Sequence, residues 1–277
     1  MTTAPFDTVA ARYDQTFTER PLGRWLRAAV WEQLEAAFAP GDHVLELGCG
    51  TGEDAVRLAQ HGVCVHATDQ SEAMIDVARR KAALQGLTDR ITFAKLDLAS
   101  LDALEADSPY DGGFSNFGVL NSLPDRRPTA TALARWIRPG GRVVLVVMGP
   151  LCPWEWMWYL ARGHPRTAFR RFCSGVIARL DEGTTMRVWY PSPRRLRKDF
   201  APYFRVRRTA GIGVVLPPSF ASHLVDRWPR FFARLSLLDR RLGRFFPGTW
   251  LNDHYLMILE RTDQPVIDYP SVPPNTK

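Results

Sequence analysis

Apolar and polar residues alternate along residues 1–149 in a pattern that predicts alternating strands and helices. Short apolar runs, typical of strands covered on both faces, are separated by stretches in which apolar residues recur every three or four positions, as on one face of a helix. The predicted strands are HVLELG, VCVHATD, ITFAKLDL, GGFSNFG and RVVLVVMG, and the predicted helices cover residues 21–38, 54–60, 72–85 and 129–137. This order favours an α/β fold with a doubly wound, mostly parallel sheet.

The pattern changes after Gly149. Residues 151–183 are aromatic and helical in character, without a strand pattern, and further helices are predicted over residues 195–204 and 219–246. FRVRRTA and NDHYLMILER are predicted strands, and because no β-α-β unit separates them we expect an antiparallel hairpin at one sheet edge. We therefore expect one domain over residues 1–262, with a cofactor-binding half at 1–149. Helical insertions that shape a substrate site or lid are expected at about 151–200 and 217–248, and a flexible Pro-rich tail at 263–277.

A glycine-rich turn follows the first predicted strand, with the sequence Glu46-Leu47-Gly48-Cys49-Gly50-Thr51-Gly52. Alternating glycines let the backbone lie directly against a ligand, and the helix N-terminus that follows attracts negative charge. The same residues satisfy the dinucleotide pattern G-x-G-x-x-[GA] from Gly50, with Asp69 at the expected distance. However, Glu53 and Asp54 would meet a pyrophosphate with like charge. S-adenosylmethionine (SAM) offers an ammonium group for Glu46 and has no phosphate, so an NAD(P)-dependent oxidoreductase is the disfavoured alternative.

The run VLELGCGTG resembles the first motif of class I SAM-dependent methyltransferases, and the resemblance covers roughly residues 6–149. It implies a Rossmann-like methyltransferase fold with a seven-stranded sheet whose last strand is reversed. It also implies that an acidic residue at the end of the second strand binds the ribose hydroxyls and that two residues at the end of the third strand contact the adenine. A tyrosine in the segment ARYD is expected to close over the cofactor. The cofactor-binding residues expected on this basis are Tyr13, Glu46, Gly48, Gly50, Gly52, Asp69, Gln70, Met74, Asp97, Leu98 and Asn116.

Methyl transfer from a sulfonium requires mainly alignment of the acceptor, so a general base is optional. His254 is the candidate base, because it starts the last predicted strand and Asp253 precedes it. The aromatic residues after the fifth strand, Trp154, Trp158 and Tyr159, are candidates for a wall or lid over an apolar or planar substrate. The alternative interpretation is an ordinary helix that packs these aromatics on the core.

The net charge of +7 is unevenly distributed. Residues 1–159 hold 15 basic and 20 acidic residues, whereas residues 160–261 hold 20 basic and 7 acidic residues. Within the basic half, the stretch 227–246 interleaves arginines with large apolar residues at helical spacing, which is typical either of a helix on a membrane surface or of one that covers a sheet. A lipid-like small molecule or a biosynthetic intermediate is the expected acceptor.

Two further function classes compete with a small-molecule methyltransferase. A nucleic-acid methyltransferase would suit the basic half, but Asn116-Phe117-Gly118-Val119 replaces the N-P-P-Y-like tetrad that often holds a flipped base. A non-catalytic SAM-binding protein would share the cofactor residues and transfer no methyl group. The sequence leaves the acceptor, the methylated atom and the oligomeric state open.

Cysteine usage and the N-terminal residues bear on the compartment. The four cysteines form no C-x-x-C pair, so the sequence indicates neither a zinc site nor a disulfide framework. The start MTTAPFDTVAARYD has no apolar run of the kind found in a signal peptide. We therefore expect a cytoplasmic protein without a metal.

Overall fold

The computed structural model describes residues 4, 6–104, 109–179 and 184–266. Its central feature within these ranges is a twisted sheet flanked by helices on both faces. The strands are β1 (His43–Leu47), β2 (Cys64–Asp69), β3 (Ile91–Lys95), β4 (Tyr110–Ser115), β5 (Ile137–Met148), β6 (Val176–Arg179), β7 (Thr185–Val188), β8 (Phe204–Ile212) and β9 (His254–Arg261).

The helices alternate with the first five strands and then cluster in the second half. They are α1 (Ala10–Tyr13), α2 (Pro21–Ala37), α3 (Glu53–Gln60), α4 (Glu72–Leu84), α5 (Arg127–Trp136), α6 (Pro153–Leu160), α7 (Pro165–Ala168), α8 (Pro193–Phe200), α9 (Ser222–Arg227) and α10 (Pro229–Leu242). A π-helical turn (Asp14–Thr18) continues α1, and short 3-10 turns cover Leu98–Ala103, Val119–Ser122, Arg170–Phe172 and Ser219–Ala221. No helix in the described ranges is both long and apolar enough to cross a bilayer.

Seven strands form the main sheet in the order β3-β2-β1-β4-β5-β9-β8. Strands β1 to β5 are mutually parallel, whereas β9 is antiparallel to both of its neighbours, β5 and β8. The strand order reverses beside β1, which places a topological switch point, the usual ligand site of an open α/β sheet, at the carboxyl ends of β1 and β4. The predicted doubly wound sheet with a reversed last strand is confirmed, and so is the late antiparallel pair at one edge.

Each face of the sheet has its own apolar core, because successive strand residues point to opposite faces. On one face Val44 and Val144 pack with Leu34 of α2. On the other face Leu45 and Leu145 pack with helices α5 and α8. The start of α4 has a local cause in the sequence, because Ser71 caps this helix and its Oγ accepts the N–H of Met74 at 3.2 Å.

The second half departs from the prediction in two places. Strands β6 and β7 form a separate antiparallel hairpin inside the stretch 151–183 and just after it, where no strand was predicted. β6 has four residues and leaves Ile177 exposed, so it lacks the apolar alternation that marks a half-buried strand. Helix α8 ends at Phe200, earlier than predicted. The predicted tail is described only over residues 263–266, and its remainder lies outside the described ranges.

Candidate active site

The carboxyl edge of the sheet brings most of the predicted site residues together. The glycine loop Gly48–Gly52 follows β1, Asp69 ends β2, and Asn116 follows β4. His254 starts the antiparallel β9 and pairs with Met148, the last residue of β5, so it reaches the same edge from the opposite direction. Parallel strands with helical crossovers produce this convergence.

The three loop glycines have left-handed backbone conformations but different surroundings. Their φ angles are +72° at Gly48, +52° at Gly50 and +75° at Gly52, a region that side chains with a Cβ rarely adopt. A Cβ on Gly48 would lie 2.4 Å from Val119, and one on Gly52 would lie 2.7 Å from Cβ of Ala78. A Cβ on Gly50 would meet nothing within 4 Å. Gly48 and Gly52 therefore allow close packing within the protein, whereas Gly50 faces open space.

Asp69 holds the glycine loop against the end of β2. Its Oδ2 accepts the N–H of Gly50 at 2.9 Å, and its Oδ1 accepts the N–H of Ser71 at 2.9 Å. Burial raises the pKa of Asp69 even though these N–H groups favour the charged form. Gln70 follows Asp69 and is half-buried. The carboxylate at the end of β2 is therefore in the position from which a ribose diol could be bound beside the loop.

Glu46 is a buried carboxyl group just before the loop. It is 2% exposed, and its Oε2 has no hydrogen-bond partner among the described residues. Burial, reinforced by the nearby charge of Asp54, raises the pKa of Glu46 well above its ordinary value. The side-chain oxygen of buried Asn116 is also without a partner in this part of the structure. Buried polar atoms are normally paired, so each of these two oxygens indicates a place where a donor group of a ligand could bind.

A network that the sequence did not reveal lies beneath Asn116. Asp54, in the first turn of α3, accepts hydrogen bonds from Arg27 at 2.8 Å, Trp31 at 2.7 Å and Asn116 at 2.9 Å. Arg27 is 6% exposed, and it stacks over the ring of Phe117 at 5.1 Å. The only sequence signal was an arginine on the buried face of a helix. The network fixes Asn116 and turns its oxygen away from Asp54.

The N-terminal segment crosses the glycine loop. Thr51 Oγ1 donates to Asp14 at 2.6 Å, and Lys81 bridges Asp14 and Glu53 at 2.8 Å each. Tyr13, one residue earlier, has its pKa raised by burial, and the charges of Arg27, Asp54, Asp14 and Asp69 also act on its hydroxyl. Tyr13 therefore lies near enough to Asp54 and Asp69 to feel their charges, and its role in covering the cofactor stays a prediction. Asp14 was part of the quoted run ARYD, but the sequence assigned it no role.

Three predicted cofactor residues lie around the ends of β2 and β3. The N–H of Leu96 donates to the carbonyl of Asp69 at 2.9 Å, so Asp97 and Leu98 follow directly beside Asp69. Asp97 is exposed, and Leu98 starts a 3-10 turn and is half-buried. Met74, in the first turn of α4, is 2% exposed. Asp97 and Leu98 thus border the same edge, whereas Met74 is buried in the helix beneath it.

His254 is joined to a buried chain of charges. Its Nδ1 lies 3.1 Å from Oδ2 of Asp253, an ion-pair contact without hydrogen-bond alignment, and Oδ1 of Asp253 accepts a hydrogen bond from Arg171 at 2.5 Å. Arg171 also donates to Glu155 of α6. Burial alone would raise the pKa of Asp253, but the charges of His254 and Arg171 outweigh it, so the pKa is lowered. Asp253 does lie beside His254 as predicted, and the link onward to Arg171 and Glu155 was missed.

The predicted aromatic residues divide into two groups. Trp154 packs against the core and donates its Nε1–H to the carbonyl of Val215 at 2.9 Å, so it anchors α6. Trp158 and Tyr159 are half-buried and lie 6.0 Å and 5.5 Å from the ring of Phe220. Trp158 and Tyr159 of α6 and Phe220 of the turn before α9 together form an aromatic wall.

The sheet order, the glycine loop and the acidic residue at the end of β2 define a Rossmann-like protein with a nucleoside-cofactor site at the carboxyl edge. Similarity to known proteins identifies the family within this class. A family described as "Methyltransferase domain" matches residues 44–141. A demethylmenaquinone methyltransferase of Mycobacterium marinum is 32% identical over 192 residues, which cover 66% of this chain and 76% of that protein. The chain belongs to the class I SAM-dependent methyltransferase family.

Two further similar proteins show how much of the chain the similarity covers. A demethylmenaquinone methyltransferase of Clavibacter sepedonicus is 34% identical over 142 residues, which cover 51% of this chain and 56% of that relative. The chain therefore matches little more than half the length of that relative. The CcbJ methyltransferase of Streptomyces caelestis superposes with a TM-score of 0.61 at 18% identity, covering 94% of this chain and 98% of that chain, which shows a shared fold. Family membership decides between the two interpretations of the glycine loop in favour of SAM.

Proposed function

We propose that this chain transfers the methyl group of SAM to a small-molecule acceptor. The observation that supports this function best is the unpaired, buried carboxyl of Glu46 beside the open side of Gly50. SAM carries an ammonium group that would satisfy Glu46, and the backbone at Gly50 leaves room for its methionine part. A phosphate-bearing cofactor would instead place negative charge next to Glu46, Glu53 and Asp54.

The remaining cofactor contacts follow from the positions around the loop. We propose that Asp69 accepts hydrogen bonds from the ribose hydroxyls and that Asp97 and Leu98 contact the adenine. Tyr13 covers the cofactor from the N-terminal segment, and the free oxygen of Asn116 faces the methionine end. Gly48, Gly52 and Met74 shape the pocket through packing, and Gln70 lies next to the ribose side. SAM, when bound, supplies a methyl group already activated by its sulfonium.

His254 is the proposed general base. It lies at the carboxyl edge, and its Nδ1 faces Asp253, which leaves Nε2 as the ring nitrogen that takes the acceptor's proton. Asp253 orients the ring and is itself held by Arg171. Trp158 and Tyr159 form the wall against which an apolar or planar acceptor would lie. Burial under these aromatics excludes water from the reacting atoms.

The acceptor class is the finer part of the proposal. The two relatives described above are named demethylmenaquinone methyltransferases, and a lipid-like acceptor would suit the aromatic wall. We further propose that residues 227–246 give the chain peripheral contact with a membrane, where such an acceptor would be found. The first half is acidic and holds the cofactor residues, so the basic second half is the part that would meet an anionic surface.

The test is incubation of the full chain with SAM labelled by deuterium on the methyl group, together with lipid and aqueous cell extracts. Mass spectrometry should find products heavier by one labelled methyl group, and the Glu46→Gln variant should give much less of them. The Glu72→Gln variant, at an exposed glutamate of α4, should behave as the wild type. Calorimetric SAM binding without any labelled product would identify a SAM-binding protein without transferase activity. Labelled nucleic acid would identify the acceptor as a macromolecule.

A further inference from the structure

Helix α10 packs on the protein through a stripe that is not its most apolar one. The buried residues are Phe232, Ser236 and Asp239. The carboxylate of Asp239 accepts three backbone N–H groups of the loop after β8, at 2.7 to 3.1 Å. A carboxylate that pairs with backbone donors therefore sets the inward face of this helix, and apolar burial contributes through Phe232.

The most apolar stripe lies one residue earlier and is exposed, apart from Leu235, which packs against the core. It consists of Phe231, Leu235, Leu238, Leu242 and Phe245, at the spacing 4-3-4-3. At about 100° per residue the first four side chains, which lie on α10, fall within about 60° of arc, and Phe245 follows just beyond the end of the helix. Leu235 is half-buried, and the other four are exposed, with Phe245 at 70%. Trp228 and Phe246 extend this apolar surface at its two ends and are also exposed.

Arginines flank the apolar stripe on the side opposite the buried one. Arg230, Arg234 and Arg241 are exposed and have no carboxylate partner in the described ranges. Arg240 and Arg244, by contrast, pair with Glu32 at 3.9 and 2.9 Å. The sequence from 227 to 246 contains one acidic residue, the buried Asp239. The outward surface therefore has cationic and apolar side chains in adjacent stripes, without exposed negative charge.

We propose that this surface, formed by residues 228–246, docks on an anionic lipid bilayer. The apolar stripe enters the boundary between headgroups and acyl chains, and the free arginines contact lipid phosphates. Trp228 at one end of the stripe suits the interface, where an aromatic ring with a polar edge is favoured. This docking deepens the membrane contact of the proposed function and rests on it, but it depends on the surface of α10 and not on methyl transfer itself.

Two other occupants fit the surface less well. A second copy bound about a two-fold axis would place the same patch against itself and bring the three free arginines of both copies together. Nucleic acid would satisfy the arginines, but Leu237, Leu238 and Leu242 lie beside them and offer neither hydrogen bonds nor stacking. A bilayer with anionic headgroups satisfies both stripes at once.

The experiment is co-sedimentation of the full chain with vesicles of phosphatidylcholine alone or mixed with phosphatidylglycerol. We expect binding to the anionic vesicles that weakens as salt rises, because screening shortens the reach of the arginines. The charge variant combines Arg230→Gln, Arg234→Gln and Arg241→Gln, and the matched control combines Arg80→Gln, Arg197→Gln and Lys198→Gln, which are exposed on other surfaces. The charge variant should bind on the order of 100-fold more weakly at low salt, and the control by much less.

An apolar variant separates insertion from simple charge attraction. It combines Phe231→Ser, Leu238→Ser and Phe245→Ser, which are exposed side chains whose loss leaves the core intact. It should bind anionic vesicles at least about tenfold more weakly while its melting temperature stays unchanged. The proposal is overturned if the wild type does not bind anionic vesicles at low salt, or if the charge variant and its control bind equally. It is also overturned if sedimentation shows a dimer that the apolar variant dissociates, or if duplex DNA binds more tightly than vesicles.

Discussion

Asp69 Oδ2 accepts the N–H of Gly50 at 2.9 Å, so the acidic residue at the end of β2 directly holds the open glycine of the loop. Its other oxygen accepts the N–H of Ser71. Asp69 therefore fixes the loop in the free protein, and we propose that it also accepts hydrogen bonds from the ribose of bound SAM. A carboxylate can do both, because its two oxygens together accept about four hydrogen bonds.

We predict that Asp69→Ala weakens SAM binding and also lowers the melting temperature. Loss of charge-assisted hydrogen bonds to the ribose should cost about 1.5–3 kcal/mol of binding free energy. Loss of the acceptor for two backbone N–H groups should loosen the loop. Calorimetry and thermal unfolding measure the two effects separately. Asp76→Ala, at an exposed acid of α4 that pairs with Arg79, is the control and should change neither. Unchanged SAM affinity in Asp69→Ala would assign this residue to the fold alone.

Gly50 and Gly86 provide a matched pair of substitutions. Both have positive φ, +52° and +67°, and at both a Cβ would meet nothing within 4 Å. An alanine at either position should therefore cost about 1–2 kcal/mol of folding free energy for its left-handed backbone. Gly86 follows α4, away from the carboxyl edge. We predict similar melting temperatures for Gly50→Ala and Gly86→Ala, but loss of SAM binding in Gly50→Ala alone. Equal affinities would show that the ligand does not approach the loop at Gly50.

The raised pKa of Glu46 predicts proton release when SAM binds. The carboxyl is protonated in the free protein at pH values where the unfolded chain is already ionised, so stability falls as pH rises from about 4.5 toward the raised pKa. The ammonium of SAM favours the charged carboxylate and lowers that pKa again, so binding expels a proton and affinity rises with pH over the same window. Calorimetry in buffers of different ionisation enthalpy measures the proton count between about pH 5 and about pH 8.

Glu46→Gln is the matching variant for that measurement. It keeps the shape of the side chain and removes the ionisation, so binding should be much weaker, and what remains should release fewer protons. The free variant should also lose the fall in stability with rising pH. Proton release equal to that of the wild type would assign the effect to another group, such as Asp69, whose pKa burial also raises.

The sequence predicted the parts of this molecule whose signals are local. Apolar runs of strand length located the five parallel strands, and the glycine loop located the switch point. The partners of Asp54 could not be predicted, because Arg27, Trp31 and Asn116 come from three separate elements and meet only in the folded chain. The glutamate before the loop was predicted, but its lack of a partner is a property of the packed structure.

Helix α10 shows the limit of periodicity most clearly. Apolar spacing predicted a helix over 219–246, and α9 and α10 lie there. The same spacing suited either a helix that covers the sheet or one on a membrane surface, and Phe231, Leu238 and Leu242 are exposed. The buried stripe is selected by Asp239, whose carboxylate meets the backbone N–H groups of a loop about 24 residues earlier in the chain. A hydrophobic pattern thus identifies the helix, while a polar contact across the chain decides its orientation.

Asp253 predicts an acid-sensitive stability. Its pKa is lowered in the folded state, so it stabilises the fold at pH values above its ordinary 3.8, and this contribution is lost as pH falls below that value toward the lowered pKa. Asp253→Asn should remove this acid dependence. At neutral pH it should cost about 3–5 kcal/mol, since Arg171 would remain as a buried charge with one partner fewer. Denaturant unfolding from neutral to acid pH measures both. An unchanged acid limb in the variant would contradict the role of Asp253 in this network.

The last prediction concerns His254 and uses His223 as its comparator. Both histidines belong to the second half of the chain. His254 lies beside Asp253 at the carboxyl edge of the sheet. His223 is exposed, and its ring lies 5.6 Å from that of Trp158 in the aromatic wall. If His254 removes the acceptor's proton, His254→Gln should lower kcat by roughly 10²–10⁴-fold and leave SAM affinity unchanged. His223→Gln should change KM for the acceptor at most.

A merely structural His254 would give a different result. Its replacement would then lower the melting temperature and reduce activity only through loss of folded protein, with kcat per folded molecule unchanged. Single-turnover assays on protein of verified thermal stability separate these outcomes. Full turnover in His254→Gln would mean that the acceptor loses its proton without help from the enzyme. In that case alignment against the SAM sulfonium, provided by Trp158 and Tyr159, would account for the catalysis, because the methyl group is already activated and orientation alone contributes a large part of the barrier reduction.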